Sequence, residues 1–129
     1  TGPRPQAELP DYYRAADVCL VPSHHESFGM AALEAMACGA PVVASRVGGL
    51  AGTIQDGVTG MLVPPRDEVA LASAIAALLG DDERRRALGE RAARWAQSFA
   101  WPAVARALID LYEELVPDLR GSARVPIGA

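Results

Sequence analysis

The chain has 129 residues, of which half are apolar and 22% are charged, and its formal net charge is −4. This size and composition are typical of one globular domain with a sizeable buried core. The basic residues form no patch and aromatic residues make up only 5% of the chain. The sequence therefore argues against nucleic-acid binding.

Two cysteines, Cys19 and Cys38, lie in apolar segments and form neither a disulfide framework nor a metal-ligand set. This pattern predicts a reducing, cytoplasmic location. A position at the inner face of the membrane is an alternative that the cysteines do not address. The sequence contains no signal peptide, and no apolar stretch is long enough to predict a transmembrane segment.

The first half of the chain alternates predicted helices with short apolar runs. A helix is predicted at 8–16, and an apolar run that ends in proline follows at 18–22. A second helix is predicted at 28–38, with Gly39 placed to end it, and a second apolar run occupies 41–45. Short apolar runs bounded by turn residues are typical of strands buried on both faces of a parallel sheet.

A third strand is predicted further along the chain. A loop leads into a short helix near 53–55, a turn at 56–60 and an apolar run at 60–64. Strands that alternate with helices predict a parallel sheet with right-handed crossovers. The predicted fold class is therefore α/β, with about three parallel strands and flanking helices.

Three helices are predicted after the last strand. Asp67 can cap the first, at 68–79, Asp81 or Asp82 can cap the second, and Pro102 suits the first turn of the third. Their apolar stripes are Leu71, Ile75, Leu78 and Leu79; then Leu88, Ala92, Trp95 and Phe99; then Val104, Leu108, Leu111, Tyr112 and Leu115. The pattern predicts a folded domain at 1–117 and a flexible tail at 118–129.

Unusual loops follow the first two predicted strands. One runs from Ser23 to Gly29 and the other from Ser45 to Gly52. Because the carboxyl ends of parallel strands share one edge of the sheet, ligands bind there. We therefore expect these two loops to converge on one crevice.

The start of the helix after the first loop is suited to a phosphate group. Gly29 has no side chain, so a ligand can approach the backbone closely. The N–H groups of Phe28, Gly29 and Met30 are then expected to be free to bind an anion. The diphosphate is predicted to bind at Ser27, Gly29 and Met30.

Two carboxylates, Glu26 and Glu34, flank this helix start. Carboxylates repel phosphate, whereas they accept hydrogen bonds from hydroxyl groups and can hold a vicinal diol. Glu26 is placed for the hydroxyls of a sugar and Glu34 for those of a ribose. A sugar, a diphosphate and a ribose in a row make a nucleotide sugar.

The same residues could have purely structural roles instead of binding a ligand. Ser23 and Glu26 have the spacing of a capping box, which would make Glu26 structural, and Glu34 could be a solvated helix residue. Gly48 and Gly49 could serve only turn geometry.

Further candidates carry weaker signals. His24 and His25 have no spaced partner that would complete a metal site, so no metal is predicted. The candidate pocket residues are Ser23, His24, Gly48 and Gly49. The residues Trp95, Trp101 and Tyr112 are interpreted as core, and 84–86, three arginines, as a solvated face.

The segments ESFGMAALEAMACGAPVVAS, VGGL and DGVTGMLVPP resemble the carboxyl-terminal signature of retaining glycosyltransferases with the GT-B fold. This family includes sucrose-phosphate synthase and bacterial mannosyltransferases. The segments YYRAADVCLVPS and SFAW also match, so the resemblance extends from about Leu9 to Leu115, and actinobacterial members are most similar. It implies a Rossmann-like donor-binding domain of which this chain holds the second half.

The resemblance also implies roles for individual residues. Glu26 and Glu34 match the E-x7-E motif of the family, whose first glutamate contacts the donor sugar and whose second binds the ribose. Phe28, Gly29 and Met30 would lie beside the sugar and the diphosphate. No metal or other cofactor is implied, because helix ends and basic side chains neutralise the leaving diphosphate. The substrate would be a UDP-sugar or a GDP-sugar.

Two departures from the family pattern matter. Relatives commonly carry Pro-Glu after VGG, whereas this chain has Leu50, Ala51 and Gly52, so the donor is less well defined. The resemblance also implies an amino-terminal acceptor domain and three earlier strands of the donor domain, which we expect to lie upstream of this sequence. The strand at 18–22 would then be an exposed edge, and we expect the isolated chain either to self-associate or to need its missing half. We also expect it to be inactive.

Two other functions are alternatives to a glycosyltransferase for this sequence. A non-catalytic nucleotide-binding or assembly module could keep the same fold, and loss of activity on replacing Glu26 or Glu34 in the complete protein would argue against it. A dinucleotide-dependent oxidoreductase is disfavoured, because no G-x-G-x-x-G follows a strand.

Overall fold

The structure, a computed structural model, describes residues 2–116. The predicted tail at 118–129 lies outside the described residues. The chain divides into two compact units, the first of which ends at Gln97 and the second of which begins at Ser98.

The first unit contains a parallel sheet of three strands. They are β1 (Cys19–Val21), β2 (Val42–Ser45) and β3 (Met61–Val63), in the order β1-β2-β3. Leu20 lies opposite Val43, and Ala44 lies opposite Leu62. The predicted fold class is confirmed, with β2 in the middle and completely buried.

Helices connect and follow these strands. They are α1 (Leu9–Ala15), α2 (Met30–Ala37), α3 (Leu50–Thr53), α4 (Glu68–Leu79), α5 (Asp82–Ala96) and α6 (Trp101–Leu115). Helix α2 begins two residues later than predicted, because the residue before it, Gly29, has a left-handed φ of 93° and is not helical. Helix α3 begins at Leu50, whereas the sequence predicted a helix near 53–55.

Three residues that were predicted to end or cap a helix do so in the structure. Gly39 has a φ of 81°, and the N–H groups of Gly39 and Ala40 donate to the carbonyls of Met36 and Ala35. This is a Schellman motif, which satisfies the last carbonyls of α2. Asp67 and Asp81 cap α4 and α5 by accepting the N–H groups three residues later, at 2.8 and 2.9 Å.

Two apolar clusters cover the two faces of the sheet. Val42 and Ala44 point into a cluster with α2 and the end of α5, whereas Val43 points into a second cluster with α4 and Leu88. This alternation is the two-residue period of a strand buried on both faces. The same strand thereby fixes helices on both sides.

Three predictions about side-chain burial are corrected by the structure. Leu79 is half exposed, whereas Ala74 is buried in the α4 face. Trp101 and Tyr112 are exposed rather than core residues, whereas Trp95 packs against the first cluster as predicted.

Arg85 is not part of a solvated face. Its side chain is 18% exposed and contacts Asp17 at 3.4 Å and Asp82 at 2.7 Å. It also donates to the Leu78 carbonyl at 3.2 Å. Arg85 therefore links α5 to α4 and to Asp17, two residues before β1.

The second unit contains α6, which has Pro102 in its first turn. Its predicted apolar stripe lies along one helical face. Every residue of that stripe, Val104, Leu108, Leu111, Tyr112 and Leu115, is exposed.

Candidate functional site

The loops that follow β1 and β2 meet, as the sequence predicts. The Gly49 N–H donates to the Glu26 carbonyl at 2.9 Å. The Thr53 hydroxyl donates to the Phe28 carbonyl at 2.8 Å and is also within 2.9 Å of the Gly49 carbonyl. These bonds fix the loop that carries Glu26 against the start of α3.

Gly48 and Gly49 make this close approach possible. A Cβ atom on Gly48 would lie 2.0 Å from the Glu26 carbonyl oxygen, and one on Gly49 would lie 2.2 Å from that of Ser27. Gly48 also has a φ of 44°. The two glycines therefore serve backbone packing as well as turn geometry, because they let the loop after β2 pack directly against the backbone of the Glu26 loop.

Glu26 folds back onto the start of α2. Its Oε1 accepts the Gly29 N–H at 3.2 Å. The expectation that this N–H is free to bind an anion is therefore wrong for this conformation. The capping-box interpretation is also wrong, because α2 begins at Met30 and Ser23 is not its N-cap.

The surface around the start of α2 is apolar and exposed. Phe28 and Met30 have exposed fractions of 42% and 56%, whereas Gly29 between them is buried. Gly29 is packed so tightly that a Cβ atom would lie 2.6 Å from Leu50 Cδ2. Two exposed apolar side chains beside a helix start form a surface that a ligand can cover.

Glu34 lies just over one turn into α2, and its partner is Tyr13 of α1. The Tyr13 hydroxyl donates to Glu34 Oε2 at 3.2 Å. Burial and this hydrogen bond raise the pKa of Tyr13 to about 12. Sequence reasoning did not single out Tyr13, because no spacing rule connects residues 21 positions apart.

A separate cavity lies away from Glu26 and Glu34, and it is larger than the one between α1 and α2. A cavity of about 460 Å³ opens at the carboxyl ends of the strands, where Pro22, Ser45 and Pro64 contribute to its wall together with Arg66 and Glu68. Of the predicted site residues, His24 lines it, whereas Glu26 and Glu34 do not. We assign the site by the converging loops, because a cavity volume alone specifies no chemistry.

Other predicted site features are located as follows. His24 and His25 are exposed, and Ser23 is half-buried. Within residues 2–116 no group of three or more potential metal ligands lies together. In the same part of the chain, no helix has both the length and the apolar character needed to cross a membrane.

Comparison with protein families gives a match over most of the first unit. Residues 1–95 match the family model described as "Glycosyl transferases group 1". The chain belongs to this family. The resemblance that the E-x7-E segment indicated is therefore confirmed, as is the similarity to actinobacterial members.

Curated members of the glycosyl transferases group 1 family support the same assignment. The chain is 50% identical over 127 residues to D-inositol 3-phosphate glycosyltransferase from Corynebacterium jeikeium, covering 98% of this chain and 30% of that protein. The enzyme of the same name from Kineococcus radiotolerans is 51% identical over 124 residues, covering 90% and 28%. The chain thus spans about 30% of the length of these relatives.

Solved structures share the fold. Sucrose-phosphate synthase from Thermosynechococcus elongatus matches with a TM-score of 0.81 and 46% identity, over 92% of this chain and 30% of that chain. Anabaena Alr3699/HepE, solved in complex with UDP, matches with a TM-score of 0.77 and 29% identity, over 84% and 30%. These structures support the GT-B assignment of the sheet and its helices.

Proposed function

We propose that this chain is the donor-binding portion of a retaining glycosyltransferase, which transfers a sugar from a UDP-sugar or GDP-sugar to an acceptor. One observation carries the proposal: the Glu26 loop is fixed by the Gly49 loop at the start of α2. A carboxylate, a helix amino terminus and the exposed residues Phe28 and Met30 thus lie together beyond the carboxyl ends of the strands, where α/β folds bind ligands.

Glu26 is assigned to the hydroxyls of the donor sugar. A carboxylate has about four acceptor positions, and the Gly29 N–H occupies one of them at 3.2 Å. The bond orients the side chain and leaves acceptor capacity for hydroxyl protons. Phe28, which is 42% exposed, is assigned to the apolar face of the sugar.

The diphosphate is assigned to the turn that begins α2. The first N–H groups of a helix have no partner within the helix, and the helix dipole adds about 0.3–1 kcal/mol for an anion. Because the Gly29 N–H donates to Glu26, we expect Met30 and Ser27 to make the first phosphate contacts. Gly29 would join them only in a conformation in which the Glu26 carboxylate releases its N–H.

Glu34 is assigned to the ribose diol. It follows the start of α2 by about one turn, so the helix spaces it by about 6 Å along its axis from Met30. That spacing suits a donor whose sugar and ribose lie on opposite sides of the diphosphate. The UDP complex of Alr3699/HepE favours uracil as the base of the donor. We expect the donor to need neither a metal ion nor another cofactor.

The activity is assigned to a longer protein. The chain covers only about 30% of its relatives, so the acceptor site and part of the donor site would come from an amino-terminal region. We expect the isolated chain to bind donor weakly and to transfer no sugar.

The proposal can be tested by substitution in the complete protein that carries this sequence. We expect Glu26→Ala and Glu34→Ala each to reduce kcat/KM for the nucleotide sugar at least tenfold, since each loses a charge-assisted hydrogen bond worth about 1.5–3 kcal/mol. Glu68→Ala is the matched control, because Glu68 lines the larger cavity instead. The expected anomeric configuration of the product, retained from the donor, is read by NMR.

Contrary outcomes are distinct. Unchanged activity in both glutamate variants would refute the site, and a loss confined to Glu68→Ala would move it to the larger cavity. Nucleotide binding without any sugar transfer would favour a non-catalytic nucleotide-binding module. An inverted product would refute the retaining mechanism alone.

A further inference from the structure

The hydrogen bond between Tyr13 and Glu34 joins two helices that are separate in sequence. The Tyr13 hydroxyl of α1 donates to Glu34 Oε2 of α2 at 3.2 Å. We propose that Tyr13 is a positioning residue, which holds the Glu34 carboxylate in one orientation so that its other oxygen faces the ribose diol. The inference rests on the proposed function, because it assumes that Glu34 binds the donor.

Glu34 needs such a partner because its own helix offers none. Its neighbours in α2 are Ala, Leu and Met, which carry no hydrogen-bond donor in their side chains. A glutamate side chain has several rotatable bonds, and ordering it on binding reduces affinity. A hydroxyl donor that is already in place removes part of that cost.

The surroundings make Tyr13 a stable donor. Its ring packs against the first apolar cluster, and both Tyr13 and Glu34 line a cavity of about 230 Å³ between α1 and α2. Burial and the hydrogen bond to Glu34 raise the pKa of Tyr13 to about 12, so the hydroxyl remains a donor well above the physiological pH range. The bond is long for a hydroxyl and a carboxylate, so the expected effect is moderate.

Tyr13→Phe removes the hydroxyl and keeps the ring. In the complete protein that carries this sequence, we expect the KM for the nucleotide sugar to rise about three- to tenfold, with kcat within about twofold. The dissociation constant of UDP or GDP, whichever the unaltered protein binds, should rise by the same factor in calorimetry. Tyr12→Phe is the matched control, because Tyr12 is the adjacent tyrosine, is 40% exposed and stacks under Arg4.

A double-mutant cycle separates positioning from a purely structural role. If Tyr13 acts through Glu34, Tyr13→Phe has no further effect on nucleotide affinity once Glu34→Ala is present. The same loss in both backgrounds would overturn the proposal, because the hydroxyl would then act independently of Glu34. A lowered melting temperature that accounts for the whole loss of affinity would also overturn it.

The outcomes distinguish this inference from the proposed function. If Glu34→Ala weakens nucleotide binding and Tyr13→Phe does not, the inference fails and the assigned function stands. If Glu34→Ala leaves nucleotide binding unchanged, the ribose assignment fails, and the role of Tyr13 fails with it.

Discussion

The Gly49 N–H donates to the Glu26 carbonyl at 2.9 Å, and this single backbone bond joins the loops after two neighbouring strands. This bond requires the two loop backbones to approach more closely than any side chain at position 49 would permit. The position of Glu26 therefore depends on a residue 23 positions away that has no functional group of its own.

Gly49→Ala should disturb this contact. The added Cβ would lie 2.2 Å from the Ser27 carbonyl oxygen and 2.5 Å from Phe28 Cα, so backbone must shift. We expect a loss of about 1–3 kcal/mol in the free energy of unfolding, measured by urea denaturation of the chain. Gly52→Ala is the control, because nothing lies within 4 Å of its Cβ position. Equal effects from the two substitutions would contradict the packing role of Gly49.

Gly89→Ala tests the contact between α2 and α5. Alanine favours a helix over glycine by about 0.5–1 kcal/mol, yet the new Cβ would lie 2.2 Å from the Gly39 carbonyl oxygen. We expect the clash to exceed the propensity gain and the melting temperature to fall. The exposed neighbour Glu90→Ala should change it little. A more stable Gly89→Ala variant would mean that the two helices separate easily.

Asp67→Ala removes the cap of α4. Its carboxylate accepts the Ala70 N–H at 2.8 Å, and loss of such a cap costs about 1 kcal/mol. Asp67→Asn keeps an acceptor oxygen and should stay close to the unaltered chain in chemical denaturation. The interpretation of Asp67 as a cap would be wrong if alanine and asparagine destabilised the chain equally.

Asp56 should make stability depend on pH. The Leu62 N–H donates to its carboxylate at 2.9 Å and Arg46 pairs with it, and these contacts lower the pKa of Asp56. The pKa of Asp56 in the folded state is below the ordinary value of about 3.9. The stabilisation of the folded state by ionised Asp56 is therefore fully present above about pH 4 and is lost as the pH falls through the lower folded pKa.

Asp56→Asn measures that contribution. Thermal unfolding of the chain should show the variant less stable than the unaltered protein at pH 7, with the difference closing toward pH 3. Asp11→Asn, at an exposed site paired with Arg14, should show no such difference. If the difference in stability between Asp56→Asn and the unaltered protein stayed constant from pH 7 to pH 3, the ionisation of Asp56 would be excluded as its cause.

The edge strand β1 should promote self-association of the isolated chain. Within residues 2–116 this strand pairs with β2 on one side only, and Leu20 is 45% exposed. Leu20→Lys should reduce association in light scattering at high concentration, since a charge on an edge strand opposes pairing. Val58→Lys, at an exposed turn position, serves as the control. A monomeric unaltered chain would contradict the prediction.

Local chemistry made much of the structure predictable. The ends of α4 match the predicted residues at both termini, because Asp67 caps it and Gly80 follows it. The three strands also lie where continuous apolar runs predicted them, although β1 is an edge strand whose Leu20 is 45% exposed and is not buried on both faces. The start of α2 was placed too early, because the left-handed Gly29 cannot be distinguished by pattern from a first helical residue.

The sequence by itself determined the alternation of strands and helices, the two loops and the two glutamates, because each depends on residues close together in the chain. Only the tertiary structure decided that Glu26 accepts the Gly29 N–H and that Gly48 and Gly49 abut the Glu26 loop. It alone paired Tyr13 with Glu34. The glycine and tyrosine contacts join residues far apart in the sequence through the packing of whole elements, and no local propensity specifies which residues then meet. The Glu26 bond is local, but the loop that carries it is held by Gly49 and Thr53.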